Sequence, residues 1–226
     1  MHYNVSGHVV EAELAAKPAS QPSSTVIAWV EHLPMDAHVL DYGCGRLRYT
    51  IPMARIVRRV TAVDSCYQIQ RRQAIAGCGR TTIREYATRY LPNVDVVDVA
   101  DPVWGSHKYD RVLCANVLSS IPCSEERDLV MRRVRGCLSC RGTLLVTTQY
   151  RNSYFSSYGQ RRGAQWVEDG WLYPHNGHYY FYGLLPPTTL TRLCLSAGLS
   201  VLQVWCHDGS AYVIASSRTQ SGSSAD

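Results

Sequence analysis

The chain has 226 residues, 46% of them hydrophobic and 18% charged, enough apolar side chain for a full core and too much for a disordered chain. A formal charge of +5 permits a nucleic-acid partner without demanding one. No apolar run approaches the ~20 residues of a membrane span, and Glu11 and Glu13 fall where a signal peptide would need an apolar core. Nine scattered cysteines suit reduced thiols better than a disulfide framework, and Cys137-x-x-Cys140 has no second pair to complete a metal site. A cytoplasmic protein with no membrane contact and no metal is expected.

Residues 1–23 read as a leader with a short amphipathic piece near Val9 to Ala16. Ser23 or Ser24 caps a helix running to about Leu33, with Val26, Ile27, Val30 and Leu33 on one side, and Pro34 stops it. The first strand, His38 to Tyr42, runs into the turn Gly43-Cys44-Gly45, and a helix follows from about Leu47 to Val57 that tolerates Pro52 only at an irregular start. A second strand ends at Asp64. Asp41 and Asp64 therefore stand at the carboxyl ends of neighbouring strands, where open α/β sheets bind ligands.

The residues of this turn discriminate between ligands. A dinucleotide loop needs a third glycine where Arg48 stands, and a carboxylate at Asp41 repels phosphate. The same carboxylate attracts an ammonium or sulfonium by on the order of 1–4 kcal/mol in a partly dry cleft. Here the chain resembles the class I S-adenosylmethionine-dependent methyltransferases. Their pattern, Asp/Glu-x-Gly-x-Gly-x-Gly followed by an acid at the end of the second strand, is met by Asp41, Gly43, Gly45 and Asp64, with Leu47 in place of the third glycine. The resemblance implies S-adenosylmethionine as cofactor, Asp64 on its ribose hydroxyls, and an N-terminal lid over the site.

Ser65 to Arg89 reads as polar and helical in its first half, interrupted by Gly77 and Gly79, with Arg71 and Arg72 facing solvent. Asn93 to Asp101 reads as the third strand, and its position before the fourth resembles the family spacing. That resemblance makes Asp98 the candidate for the adenine amino group and the Val99 amide the candidate for the ring nitrogen, with Asp101 one register later. The fourth strand opens at Tyr109 and leaves through Cys114-Ala115-Asn116-Val117, where the family places its substrate-facing motif. Asn116 joins the cofactor-contacting set. The Asn/Asp-Pro-Pro-aromatic run of DNA amino methylases is absent, and Cys123, beside Pro122, reads as the structural start of a helix. That helix, Ser124 to about Leu138, turns Leu129, Val130, Val134 and Leu138 inward and its arginines outward.

Gly142 to Thr148 is a fifth, buried strand. A helix from Pro187 to Ala197 is ended by Gly198, and two apolar runs around Asp208-Gly209 form an antiparallel hairpin. The expected fold is a single three-layer α/β domain over residues 24–218. Its seven-stranded, mostly parallel sheet has an antiparallel last strand and helices on both faces, and a disordered tail follows at 219–226. The reversed strand is a second resemblance to the methyltransferases.

Residues 150–186 form an aromatic-rich insert that holds Tyr150, Tyr154, Phe155, Tyr158, Tyr180 and further rings, with Arg151, Arg161, Arg162, His175 and His178 among them. A segment this aromatic reads as a substrate cap. Tyr150, His175 and His178 are the candidate catalytic groups, and Tyr150, Arg161 and Tyr180 the candidate substrate contacts. A small aromatic or heterocyclic acceptor is expected. The alternatives are a nucleobase of RNA or DNA, stacked on the same rings, a protein side chain, or an inactive module that binds cofactor or partner without catalysis.

Overall fold

The computed structural model describes residues 2–15, 22–151 and 157–217. Tyr154, Phe155 and the 219–226 tail lie outside the described residues. The main sheet has seven strands in the order β13 (Ser200–His207), β14 (Ser210–Ser216), β9 (Leu138–Gln149), β8 (Tyr109–Ala115), β3 (His38–Tyr42), β4 (Arg59–Asp64) and β7 (Val94–Asp98). β14 runs antiparallel to both of its neighbours, and the other pairings are parallel. Val39, Leu40, Val60, Val63, Val112, Leu113, Leu144 and Leu145 have no exposed surface, because helices cover both faces. Asp208 and Gly209 both take positive φ, the backbone of a type I′ hairpin turn, and this lets β14 double back between β13 and β9.

One face is covered by α1 (Ser24–Glu31) and α2 (Thr50–Ala54), with Val26, Val30 and Met53 packed on Val39, Val60 and Leu145. The other is covered by α6 (Ser124–Cys137) and α7 (Pro187–Ser196), with Val130, Val134 and Leu190 packed on Leu40, Val112 and Val146. Ser23 accepts a hydrogen bond from the Val26 amide and caps α1. The helix expected over 47–57 shrinks to α2, because Leu47 sits at φ 61 and holds the chain in turns until Tyr49. Pro52 then falls in the first helical turn, where a missing N–H costs nothing.

Between β4 and β7 lie α3 (Cys66–Gln70), a small hairpin of β5 (Gln73–Ala74) and β6 (Arg80–Thr81), and α4 (Ile83–Tyr90). The hairpin and α4 go beyond the sequence reading. Arg71 is a correction to it, since its guanidinium folds back to donate to Gln68 and Gln73 at 2.8 and 3.2 Å. Arg127 is a second correction: on α6 it is 2% exposed instead of facing solvent, because a carboxylate from the insert meets it.

The N-terminal segment, read only as a leader with a short amphipathic piece, forms two strands. β1 (His2–Val5) and β2 (His8–Glu11) form a hairpin, a 3-10 turn covers Ala12–Ala15, and β2 lies beside the insert strand β12 (His178–Gly183) with Val10 opposite Tyr179. With β11 (Gly170–His175) and β10 (Gln165–Val167) this makes a five-stranded sheet, closed over a small core of Val5, Val10, Leu172 and Phe181. Leader and insert share one cap. No helix among the described residues is long and apolar enough to cross a membrane.

Candidate active site

A cavity of about 140 Å³ opens at the carboxyl ends of β3, β4 and β8, beneath the cap. Its floor is the turn after β3. Gly43 has φ 77, and a Cβ built on it would lie 2.3 Å from Val117 Cγ2, so only glycine fits there. The Gly43 and Cys44 amides both donate to the Val63 carbonyl, at 2.8 and 3.1 Å, which folds the turn over the end of β4. Gly45 donates its amide to Asp64 Oδ2 and Ser65 donates to Oδ1, each at 2.8 Å. Each carboxylate oxygen keeps a second lone pair for a ligand hydroxyl.

Leu47 stands where the family pattern has its third glycine, and its φ of 61 shows why glycine suits that place. Leucine is accommodated because its side chain, fully buried, packs in a core with Ala62, Ile69, Ile75 and Ile83 instead of facing the cavity.

Asp41 is 2% exposed and accepts a 2.5 Å hydrogen bond from Thr50 Oγ1; it lies behind the turn and does not line the cavity. Burial pushes its carboxyl up to about 7, with the Asp64 charge adding to the rise and Thr50 opposing it. Asp64 lines the cavity, and burial pushes it up to about 6 against the Gly45 and Ser65 amides and the Arg71 charge.

The structure brings Gly43, Gly45, Asp64, Val99 and Asn116 together on the cavity wall. Val99 uses its amide on the Asp64 carbonyl at 2.8 Å, and Asp98, off the wall, accepts from the Ala100 amide at 3.0 Å. Asn116 sits at φ 61, with its Oδ1 accepting from the Gln149 amide at 3.2 Å and its carbonyl accepting from Ser119 Oγ at 3.1 Å. Other residues fall elsewhere. Tyr150 leaves β9 towards β13, its hydroxyl 3.4 Å from Cys206 Sγ. His175 and His178 face each other across the exposed tip of the β11–β12 hairpin, with His178 Nδ1 3.8 Å from Glu11. Arg161 lies over both Tyr158 and Tyr173 at 4.8 Å, and Tyr180 stacks on Tyr173.

Sequence reasoning missed the cap's own share of the wall: Tyr3, Glu13 and Tyr182. Only the pairing of β2 with β12 brings them there, and nothing local signals it. Burial, with Glu126 and Cys123 nearby, pushes the Tyr3 phenol up to about 12, so it is a hydrogen-bond donor at neutral pH. Tyr182 donates to the Gln149 carbonyl at 3.1 Å. Tyr42, the last residue of β3, is 2% exposed and lines the cavity, and its hydroxyl has no hydrogen-bond partner among the described residues. Arg46 and Arg48, in the turn itself, also line the cavity, and the sequence reading singled out neither as a site residue.

A glycine turn whose first amides donate to the end of the neighbouring strand, a buried carboxylate at that strand's end facing the cavity, and a reversed strand between β13 and β9 together give the fold its class. The sequence profile of the methyltransferase domain matches residues 14–204, and the chain belongs to this family, the class I S-adenosylmethionine-dependent methyltransferases. It is 34% identical over 215 residues to the uncharacterized protein YmfD of Escherichia coli strain K12, spanning 94% of this chain and 95% of that one. Among solved structures it resembles an S-adenosylmethionine-dependent methyltransferase of Methanosarcina mazei, with TM-score 0.63, 17% identity, and 86% and 98% of the two chains covered. It also resembles the 1,6-didemethyltoxoflavin-N1-methyltransferase of Burkholderia thailandensis, solved with its acceptor and S-adenosylhomocysteine, with TM-score 0.54, 20% identity, and 87% and 76% covered.

Proposed function

We propose that this methyltransferase binds S-adenosylmethionine along the Gly43–Gly45 turn and methylates a small aromatic or heterocyclic acceptor held under the cap. The observation that carries the reading is the composition of the cavity wall beyond the glycine turn. There Tyr3 and Tyr182 from the cap, with Tyr42, Ile121 and Val130 from the main domain, form a largely apolar, ring-lined chamber. The Burkholderia thailandensis relative, solved with a heterocycle bound, supports the same acceptor class.

In this reading Asp64 accepts hydrogen bonds from the ribose hydroxyls, and Asn116 and the glycine turn border the amino-acid end. Val99, with its amide already given to the Asp64 carbonyl, borders the adenine through its side chain, while Asp98, expected on the adenine amino group, stands off the wall. The cofactor supplies a methyl carbon already activated for displacement by the sulfonium. The chain's part is to align the acceptor in line with that carbon and to exclude water. Ser119 and Ser120 donate inward to the Asn116 and Val117 carbonyls at 3.1 and 2.7 Å, leaving their oxygen lone pairs for an acceptor N–H or O–H. Glu13, 7% exposed on the cap side of the cavity, is the carboxylate suited to take a proton from such a group. Tyr150, His175 and His178, outside the wall, are better suited to holding the cap. The free state of all nine cysteines supports a reducing, cytoplasmic setting.

A nucleobase acceptor would draw on Arg161 for its phosphate, yet Arg161 is stacked within the insert's own tyrosines. The discriminating experiment incubates the protein and labelled methyl donor with fractionated metabolites, RNA, DNA and protein. Label in the small-molecule fraction is expected. Label in nucleic acid would favour the nucleobase reading, and donor binding with no transfer to any fraction would favour the inactive module.

A further inference from the structure

Four amides of the glycine turn are already committed. Gly43 and Cys44 donate to Val63, Gly45 donates to the Asp64 carboxylate, and Leu47 donates to the Cys44 carbonyl at 2.9 Å. An anion arriving at this turn finds most of the N–H groups that would cradle a phosphate already taken.

It meets guanidinium instead. Arg46 and Arg48 stand at alternate positions of the turn and both line the cavity. Arg46 Nε is shielded from solvent without a hydrogen-bond partner, and no carboxylate among the described residues forms an ion pair with Arg46. Burial, then the like charges of Arg71 and Arg48, lower its pKa, as expected of a cation that lacks its counter-ion. Asp64, the nearest carboxylate of the turn, is occupied by the Gly45 and Ser65 amides. A guanidinium without a counter-ion at the edge of a ligand cavity is half of a charge-assisted pair.

We infer that Arg46 binds the carboxylate at the amino-acid end of the methyl donor through its guanidinium. The inference rests on the reading that S-adenosylmethionine occupies this cavity. An acidic acceptor presents the same chemistry, and the choice of ligands separates the two sources.

The test is calorimetric titration of the full chain with S-adenosylhomocysteine, which carries the carboxylate, and with 5′-methylthioadenosine, which lacks the whole amino-acid end. Wild type should prefer S-adenosylhomocysteine. Arg46→Gln should weaken that ligand about tenfold and leave 5′-methylthioadenosine within about twofold, and Arg46→Lys should restore part of the loss. Unchanged S-adenosylhomocysteine affinity in Arg46→Gln would overturn the inference, as would an equal loss for both ligands, which marks a turn that has merely collapsed. Wild type binding neither ligand would remove the occupancy reading itself, before any variant is made.

Discussion

Arg127 and Asp169 join the methyltransferase domain to its cap through two parallel hydrogen bonds, Nη1 to Oδ2 and Nη2 to Oδ1, the latter 2.9 Å long. The same guanidinium donates from Nε to the Ile121 carbonyl at 2.7 Å and lies 5.8 Å from the Phe181 ring. Ile121 lines the cavity and Phe181 neighbours Tyr182, so one side chain ties together two sides of the cavity.

The two halves of this pair are not equivalent under mutation. Arg127 is 2% exposed and Asp169 38% exposed, so Asp169→Ala strands a buried cation. Stripping a partner from a fully buried pair costs about 3–5 kcal/mol, and with Asp169 partly solvated about 2–4 kcal/mol is expected. Arg127→Met leaves only the half-solvated carboxylate and should cost less. Urea unfolding of both variants checks the order, and Arg127→Met proving the more damaging would contradict it.

Asp41 and Asp64 make the ligand-free protein sensitive to pH. Both carboxyls are raised from 3.8, to about 7 and about 6, so the folded state holds protons that the unfolded state releases. The stability this contributes is complete below about pH 4 and is lost as pH rises through about 6 and 7. Thermal melts of the apo protein should therefore fall between about pH 5 and pH 8. A cationic donor favours ionised Asp64, so its affinity should rise over the same window and its binding should release protons. Titration near pH 6 in buffers of different ionisation enthalpy measures that release, and heats independent of buffer would count against it.

Leu47 trades backbone strain for packing. A leucine in the left-handed region costs on the order of 1–2 kcal/mol, whereas emptying its buried site costs about 2–5 kcal/mol. Leu47→Gly should restore the family's residue and still destabilise the fold by about 2 kcal/mol, the difference of the two middle values. Donor affinity should change less than about twofold, because Leu47 does not line the cavity. A stabilised variant would show that strain outweighs the packed side chain.

How far the chain could be read follows from how local each signal is. Val39, Leu40, Val60 and Val63 lie in buried apolar runs that end in an acid, and Asp208-Gly209 carries its hairpin within a few residues; both are visible in one short window. The cap depends on Val10 meeting Tyr179, and the burial of Arg127 depends on Asp169, contacts made across distant stretches that no periodicity encodes. The aromatic insert misdirected attention for a related reason. Tyr158, Tyr173 and Tyr180 stack on one another, so richness in rings marked a small core, whereas Tyr182 reaches the cavity. In the turn, Gly43, Gly45 and Asp64 were legible because they are close in sequence, while Tyr3 and Glu13 arrive from the other end of the fold.

Donor affinity of Asp64→Ala, measured by equilibrium titration with S-adenosylhomocysteine, tests the placement of the cofactor most directly. Loss of hydrogen bonds from a carboxylate to the ribose hydroxyls should weaken binding by about 1–3 kcal/mol, severalfold to about a hundredfold, with the fold intact by circular dichroism. Wild-type affinity in that variant would mean that the ribose does not lie on Asp64 and that the donor is not held over the glycine turn.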